Sequence, residues 1–121
     1  MSAVYLTARW GRLDEMRLHR EALVSAGHSV TSRWLDEAEG TQPAEAALVD
    51  LDDIRVSDYL IAFTESKEVG YYTGGRHVEL GFALAQSHVQ IILVGGRENV
   101  FCHLPSIKVA HSLQMAIQMM V

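Results

Sequence analysis

Two unbroken apolar runs, YLIAFT at 59–64 and QIILVG at 90–95, constrain the fold of this chain more than any other feature. A strand with one wet face alternates apolar and polar residues; these runs do not alternate, and each is too short for a helix. They read as strands buried on both faces, the usual state of strands in a parallel sheet covered by helices. Between them lies TGGRHVELGFALAQ, at 73–86, which reads as a loop followed by a helix of about a dozen residues. Strand, helix and strand form a crossover unit, and the rest of the chain repeats the alternation. AVYLTA (3–8) is a short β-rich run, and Leu13, Met16, Leu23 and Val24 then recur at helical spacing up to Gly27. SVTSRW (29–34) predicts a second strand and DEAEGTQP (36–43) an exposed loop. Ala47, Leu48, Leu51 and Ile54 give a second helix from Ala44, and IKVA (107–110) and the Met-rich SLQMAIQMM (112–120) complete the chain.

The expected architecture is a single doubly wound, flavodoxin- or Rossmann-like α/β domain over residues 1–121, with a mainly parallel sheet of about five strands. Ligands of such sheets bind beyond the carboxyl ends of the strands, which puts the loops after Ala8, Thr64 and Gly95 on the active edge. With 121 residues, 49% hydrophobic and 21% charged, the chain suits one globular domain. Its formal charge of −5, with scattered Lys and Arg, provides no basic stripe for polymeric nucleic acid but leaves room for a single nucleotide. The lone Cys102 forms no internal disulfide and suits a reducing interior. An early charge in MSAVYLTARW, and no apolar run near the ~20 residues of a membrane span, predict a cytoplasmic protein with no membrane partner.

Several residues have the chemistry of a small-molecule site. Gly74 and Gly75 allow close backbone approach ahead of a helix whose free N–H groups attract anions, although a glycine turn serves equally to start a helix. Glu79 lies early in that helix, where the dipole favours a carboxylate in any role. Arg9, Trp10 and Arg12, after the first strand, offer cationic and stacking surface for a base and phosphate, or are plain loop residues. In DLDDIRVSD, Asp50, Asp53 and Ile54 share one helical face while Asp52 points elsewhere; a solvated acidic helix end has the same spacing. No G-x-G-x-x-G, P-loop or G-x-S-x-G is present, and the six histidines form no metal pattern, so neither cofactor nor metal is expected.

The order of VYL, DLDDIRVSDYLIAF, GGRHVELGFALA and IILVG resembles the nucleoside 2-deoxyribosyltransferase superfamily, including its nucleotide N-hydrolase branches, over most of residues 3–101. The resemblance implies that Glu79, in the E-L-G-F-A motif, is a nucleophile. It further implies that Asp50 contacts the sugar or assists protonation, and that Tyr5 lies beside the nucleophile. Transferases of the family carry an acid six positions before the nucleophile, where this chain has Thr73. Hydrolase branches acting on nucleoside monophosphates resemble it more closely there, and one cytidylate-cleaving branch shares the Gly-x-His-Val-Glu run of residues 75–79. Substrate contacts are accordingly expected from Arg9, Trp10, Thr73, Gly74, Gly75 and His77.

The resemblance therefore implies cleavage of the sugar–base bond of a nucleoside 5′-monophosphate or deoxynucleoside, by hydrolysis or base exchange. A noncatalytic nucleotide-sequestering module is the alternative, disfavoured by retention of both Glu79 and Asp50. Kinship with phosphoribohydrolases of the lysine-decarboxylase-like group is weaker, since their longer glycine-threonine motif is absent. The family usually builds its pocket from two subunits, which implies a homodimer or higher homo-oligomer. In RENVFCHLPS, Asn99 and Ser106 are candidates for a side chain donated to the partner's site, and Val100, Phe101 and Leu104 fit either an interface or a core loop.

Overall fold

The computed structural model describes residues 1–66 and 74–120. Five strands, β1 (Ala3–Thr7), β2 (Ser29–Val30), β3 (Tyr59–Phe63), β4 (Gln90–Val94) and β5 (Ile107–Ala110), form one sheet in the order β2-β1-β3-β4-β5, every pair parallel. Among the described residues four helices flank it, α1 (Leu13–Ser25), α2 (Pro43–Arg55), α3 (Gly75–Ala85) and α4 (Leu113–Met119). The expected Rossmann-like α/β architecture is what forms. All five residues of β3 are buried, as the lack of alternation in YLIAF requires of a central strand covered on both faces. Leu60 pairs with Tyr5 on one side and Ile91 on the other, and Ile91 pairs with Ile107, so one apolar row crosses four strands.

Helix boundaries follow local chemistry. Gly27, at φ 93°, ends α1 with a reciprocal pair of bonds: its N–H donates to Val24 O (3.0 Å) and that of His28 to Leu23 O (3.0 Å). Met16 and Leu23 enter the core, whereas Val24 is exposed despite its helical spacing. Pro43 occupies the first turn of α2, where its missing N–H costs nothing. Asp53 and Ile54 are buried on one face of α2 and Asp52 is exposed, as the spacing predicted.

The second strand is shorter than expected. Residues 29–34 predict a continuous strand, but the ladder ends at Val30 and Arg33–Asp36 form a 3-10 turn. Two side chains take over the edge of β1: the Ser32 hydroxyl accepts the Leu6 N–H at 2.7 Å, and the Trp34 indole N–H donates to Leu6 O at 2.8 Å. The backbone groups of Leu6 are thus satisfied without a neighbouring strand. The turn is then locked to α2, because the buried Asp53 carboxylate accepts from the Arg33 backbone N–H (2.9 Å) and from its Nε (2.8 Å). Trp34 therefore comes to rest beside the carboxyl end of β1 instead of continuing along the sheet.

Ser32→Ala removes the acceptor of a buried N–H. It is expected to lower unfolding free energy by ~1–3 kcal/mol, seen as a lower urea midpoint at unchanged slope.

Candidate active site

The strand order reverses between β1 and β3, and beyond the carboxyl end of β1 a cleft of about 460 Å³ opens between the β1 loop, α2 and the start of α3. Its volume lies within the ~300–1,000 Å³ range of small-ligand sites. The alternation of β1 sends Tyr5 and Thr7 to one face, and α3 crosses that face so that Glu79 reaches both. Tyr5 Oη donates to Glu79 Oε2 at 2.7 Å, and Thr7 Oγ1 donates to Oε1 at 2.6 Å. From α2, the Asp50 carboxyl comes within hydrogen-bonding reach of the same glutamate. Two carboxyl groups make such a contact only through a shared proton.

The electrostatics follow from this crowding. Burial, and then the charge of Glu79, push Asp50 from 3.8 up to about 7. Burial also raises Glu79, opposed by hydrogen bonds from Thr7, Tyr5 and Asp50 and by the positive charge of Arg76. Tyr5 is driven far above the usual phenol range, by burial first and by Glu79 second, so it stays protonated as a fixed donor. Burial and like charge thus favour one shared proton on the pair, with Asp50 the member pushed up to about 7. Two carboxyl groups whose environments differ stand side by side.

Arg9, Trp10, Gly74 and Gly75 also line the cleft, as the sequence suggested. Trp10 is 62% exposed and its ring centroid lies 6.0 Å from that of Trp34, giving the cleft an aromatic wall. Gly74 adopts φ 88°, a left-handed conformation that turns the chain directly into α3. Glu79 is the fifth residue of α3, a turn beyond the free amides of the helix start. His77 does not line the cleft: two residues before Glu79, it is rotated to another side of the helix. Thr73 lies outside the described residues. Arg12 is not a cleft residue either, since its guanidinium is taken by Glu15 (2.8 Å) and Glu65 (2.8 Å).

Asn99 and Ser106 do not reach the cleft of their own chain. The Asn99 side chain caps the 3-10 turn Val100–His103 by accepting the Phe101 N–H at 3.0 Å, and Ser106 sits exposed before β5. Val100 and Phe101 are exposed at 76% and 60%, which excludes the core-loop alternative for these two side chains, while Cys102 beside them is buried in the core.

Four contributors escaped the sequence reading. Thr7 and Trp34 were hidden inside strand-like runs, and Glu37 lay in an acidic loop. The fourth, Arg76, is buried in the cleft wall and bound by both nitrogens to Glu98, at 2.5 and 2.8 Å. Period-two alternation would have placed Thr7 with Tyr5; nothing local marks the partner of Arg76. Among the described residues no group of His, Cys, Asp and Glu has the arrangement of a metal site. No described helix is long and apolar enough to cross a membrane.

The same α/β fold is found in two solved enzymes, an N-glycosidase and a 2-desoxiribosyltransferase. The CMP N-glycosidase BcmB of Clostridium botulinum superposes over 97% of this chain and 96% of its own, with a TM-score of 0.61 and 18% identity. A 2-desoxiribosyltransferase from Leishmania mexicana matches 80% of this chain and 67% of its own, with a TM-score of 0.60 and 16% identity. No protein-family model matches the chain, and no curated protein matches its sequence. The likeness therefore lies in the fold.

The raised Asp50 gives a stability test. Folding takes up a proton between the ordinary carboxyl value of 3.8 and about 7, so the protonated group's contribution is complete below that window and lost as pH rises through it. Asp50→Asn should therefore raise the melting temperature at pH 8 and bring little gain at pH 4, measured by thermal scans at both pH values.

Proposed function

We propose that this chain cleaves the N-glycosidic bond of a nucleoside 5′-monophosphate or deoxynucleoside, with Glu79 as nucleophile and Asp50 as acid. The observation that carries the reading is the proton-sharing Glu79–Asp50 pair at a cleft with an aromatic wall. Breaking a sugar–base bond leaves both electrons with the base and develops cationic character at the anomeric carbon. A carboxylate beneath that carbon stabilises the charge and captures it as a glycosyl ester. Asp50 gives its proton to the departing base, becoming the carboxylate that takes a proton from water in the second step. Water then adds to the anomeric carbon, the ester bond to Glu79 breaks, and the pair returns to its original protonation. Replacing water by a second base gives exchange instead, the reaction named for the second similar structure.

Within this reading the base stacks against Trp10, with Trp34 behind it. The 5′-phosphate takes the Gly74–Gly75 turn, the free amides of α3 and the hydroxyl of Thr73. Arg9 keeps a half-exposed guanidinium at the rim, with one nitrogen 3.2 Å from Glu65. Asn99 and Ser106 serve a neighbouring subunit's site in a homodimer, with the exposed Val100 and Phe101 at the contact. His77 is a substrate contact only if α3 is approached from outside the cleft, and it has no assigned part in the chemistry.

Incubation with a panel of nucleosides and monophosphates, with and without a free acceptor base, tests the reading by its products. Free base and sugar phosphate are expected, with monophosphates preferred at least tenfold in kcat/KM, since each charge-assisted hydrogen bond contributes ~1.5–3 kcal/mol. Glu79→Gln should stay folded and lose at least ~100-fold in base release. Because Asp50 must be protonated, kcat/KM should fall above about pH 7. Efficient base exchange without phosphate preference would replace the hydrolase by a transferase. Tight nucleotide binding without products would leave a sequestering module.

A further inference from the structure

A shared proton does not by itself say which carboxyl is the acid and which the nucleophile. If it rests on Glu79, the chemistry has neither a nucleophile nor a donor in the right place. We propose that Thr7 is the positioning residue that assigns these roles: its hydroxyl, held on Glu79 Oε1, keeps the negative charge on Glu79 and the shared proton on Asp50. The inference rests on the N-glycosidase reading for its purpose, but not for its physical content.

The asymmetry is geometric. Glu79 accepts one hydroxyl on each oxygen, Tyr5 on Oε2 and Thr7 on Oε1, both from fully buried side chains of β1. With one donor, a carboxylate can turn about its terminal bond and present either oxygen. Donors on both oxygens fix its plane, and each stabilises the ionised form. Arg76, on the same helix, adds a positive charge. Asp50 has the opposite surroundings: it faces the carboxylates of Glu79, Glu37 and Asp53, and among the described residues no donor reaches its buried Oδ1. Negative charge is thus supported on one member of the pair and opposed on the other.

Tyr5 was expected beside the nucleophile, whereas Thr7 adds a second donor with a shorter reach and a stiffer, β-branched side chain. Its hydroxyl does not serve contact with water, since Thr7 is entirely buried and pairs in the sheet with Ala62. Packing alone is served by valine, which has the same shape and no donor.

Carbon-13 NMR titration of side-chain carboxyls tests this without requiring turnover, with Glu79 and Asp50 assigned by loss of signal in Glu79→Gln and Asp50→Asn. In the wild type at pH 6, Glu79 should show an ionised carboxyl shift and Asp50 a protonated one. Thr7→Val should move the proton towards Glu79 and raise the apparent titration of Glu79, while Thr7→Ser keeps the wild-type pattern. In kinetics, Thr7→Val should lower kcat about tenfold with KM changed less than about twofold, and carry the acidic limb of the pH profile towards neutrality. Identical carboxyl titrations in wild type and Thr7→Val would overturn the proposal, as would equal losses in Thr7→Val and Thr7→Ser. Should Thr7→Val not fold, Thr7→Cys supplies a weak donor of similar size, and a titration matching Thr7→Ser would count against the role. Wild-type protein that releases no base from any substrate would sink the enzymatic reading, and the titration would still judge Thr7.

Discussion

A glutamate side chain brought to the end of a buried parallel sheet, beside a second carboxyl, is the constraint around which this molecule is organised. Neither group can be ionised there without compensation, and both together cannot be ionised at little cost. Two hydroxyls of β1 and one shared proton meet the requirement. Three elements distant in sequence must therefore be held in register, β1, α2 and α3. Their relative placement comes from the parallel pairing of β1 with β3 and from the packing of α2 against α3.

A second layer of charge steadies the rim. Glu98, after β4, grips Arg76 at the start of α3 and also accepts the Glu65 N–H at 3.1 Å, after β3. Glu65 in turn holds Arg9 and Arg12, after β1. A Cβ at Gly11 would meet the Arg9 guanidinium folded back over the turn, and the flexible arginine would have to swing aside. Loops following three adjacent strands are thus tied together by ion pairs that are largely shielded from water, where screening is weak. Among the described residues, Glu65 after β3 and Glu98 after β4 act on the cleft in this way, as supports behind its wall and not as its lining.

Much of this was legible in the sequence. Unbroken apolar runs disclosed the central strands because burial on both faces removes alternation, and the placement of Asp50, Asp53 and Ile54 on α2 followed from helical spacing. The family-like motif around Glu79 led to Tyr5 and Asp50, which meet it in space. The failures share a cause. Strand propensity extended β2 through Trp34 because nothing local announces that Ser32 and Trp34 will bond to Leu6. Arg12 was open in the sequence between a ligand cation and a plain loop residue, and only its carboxylate partners, Glu15 on the helix it precedes and Glu65 after β3, decide the matter. Such pairings depend on tertiary contacts, which local spacing does not encode.

The central claim is that Glu79 captures the sugar. A nucleotide substrate with fluorine at the 2′ position slows both glycosidic steps by destabilising positive charge, and a good leaving base restores the first, so the intermediate accumulates. Intact-mass measurement followed by peptide mapping should find one fluoroglycosyl adduct per chain, on the peptide containing Glu79, and none in Glu79→Gln. Turnover of the probe with no adduct, or an adduct on another residue, would contradict the account.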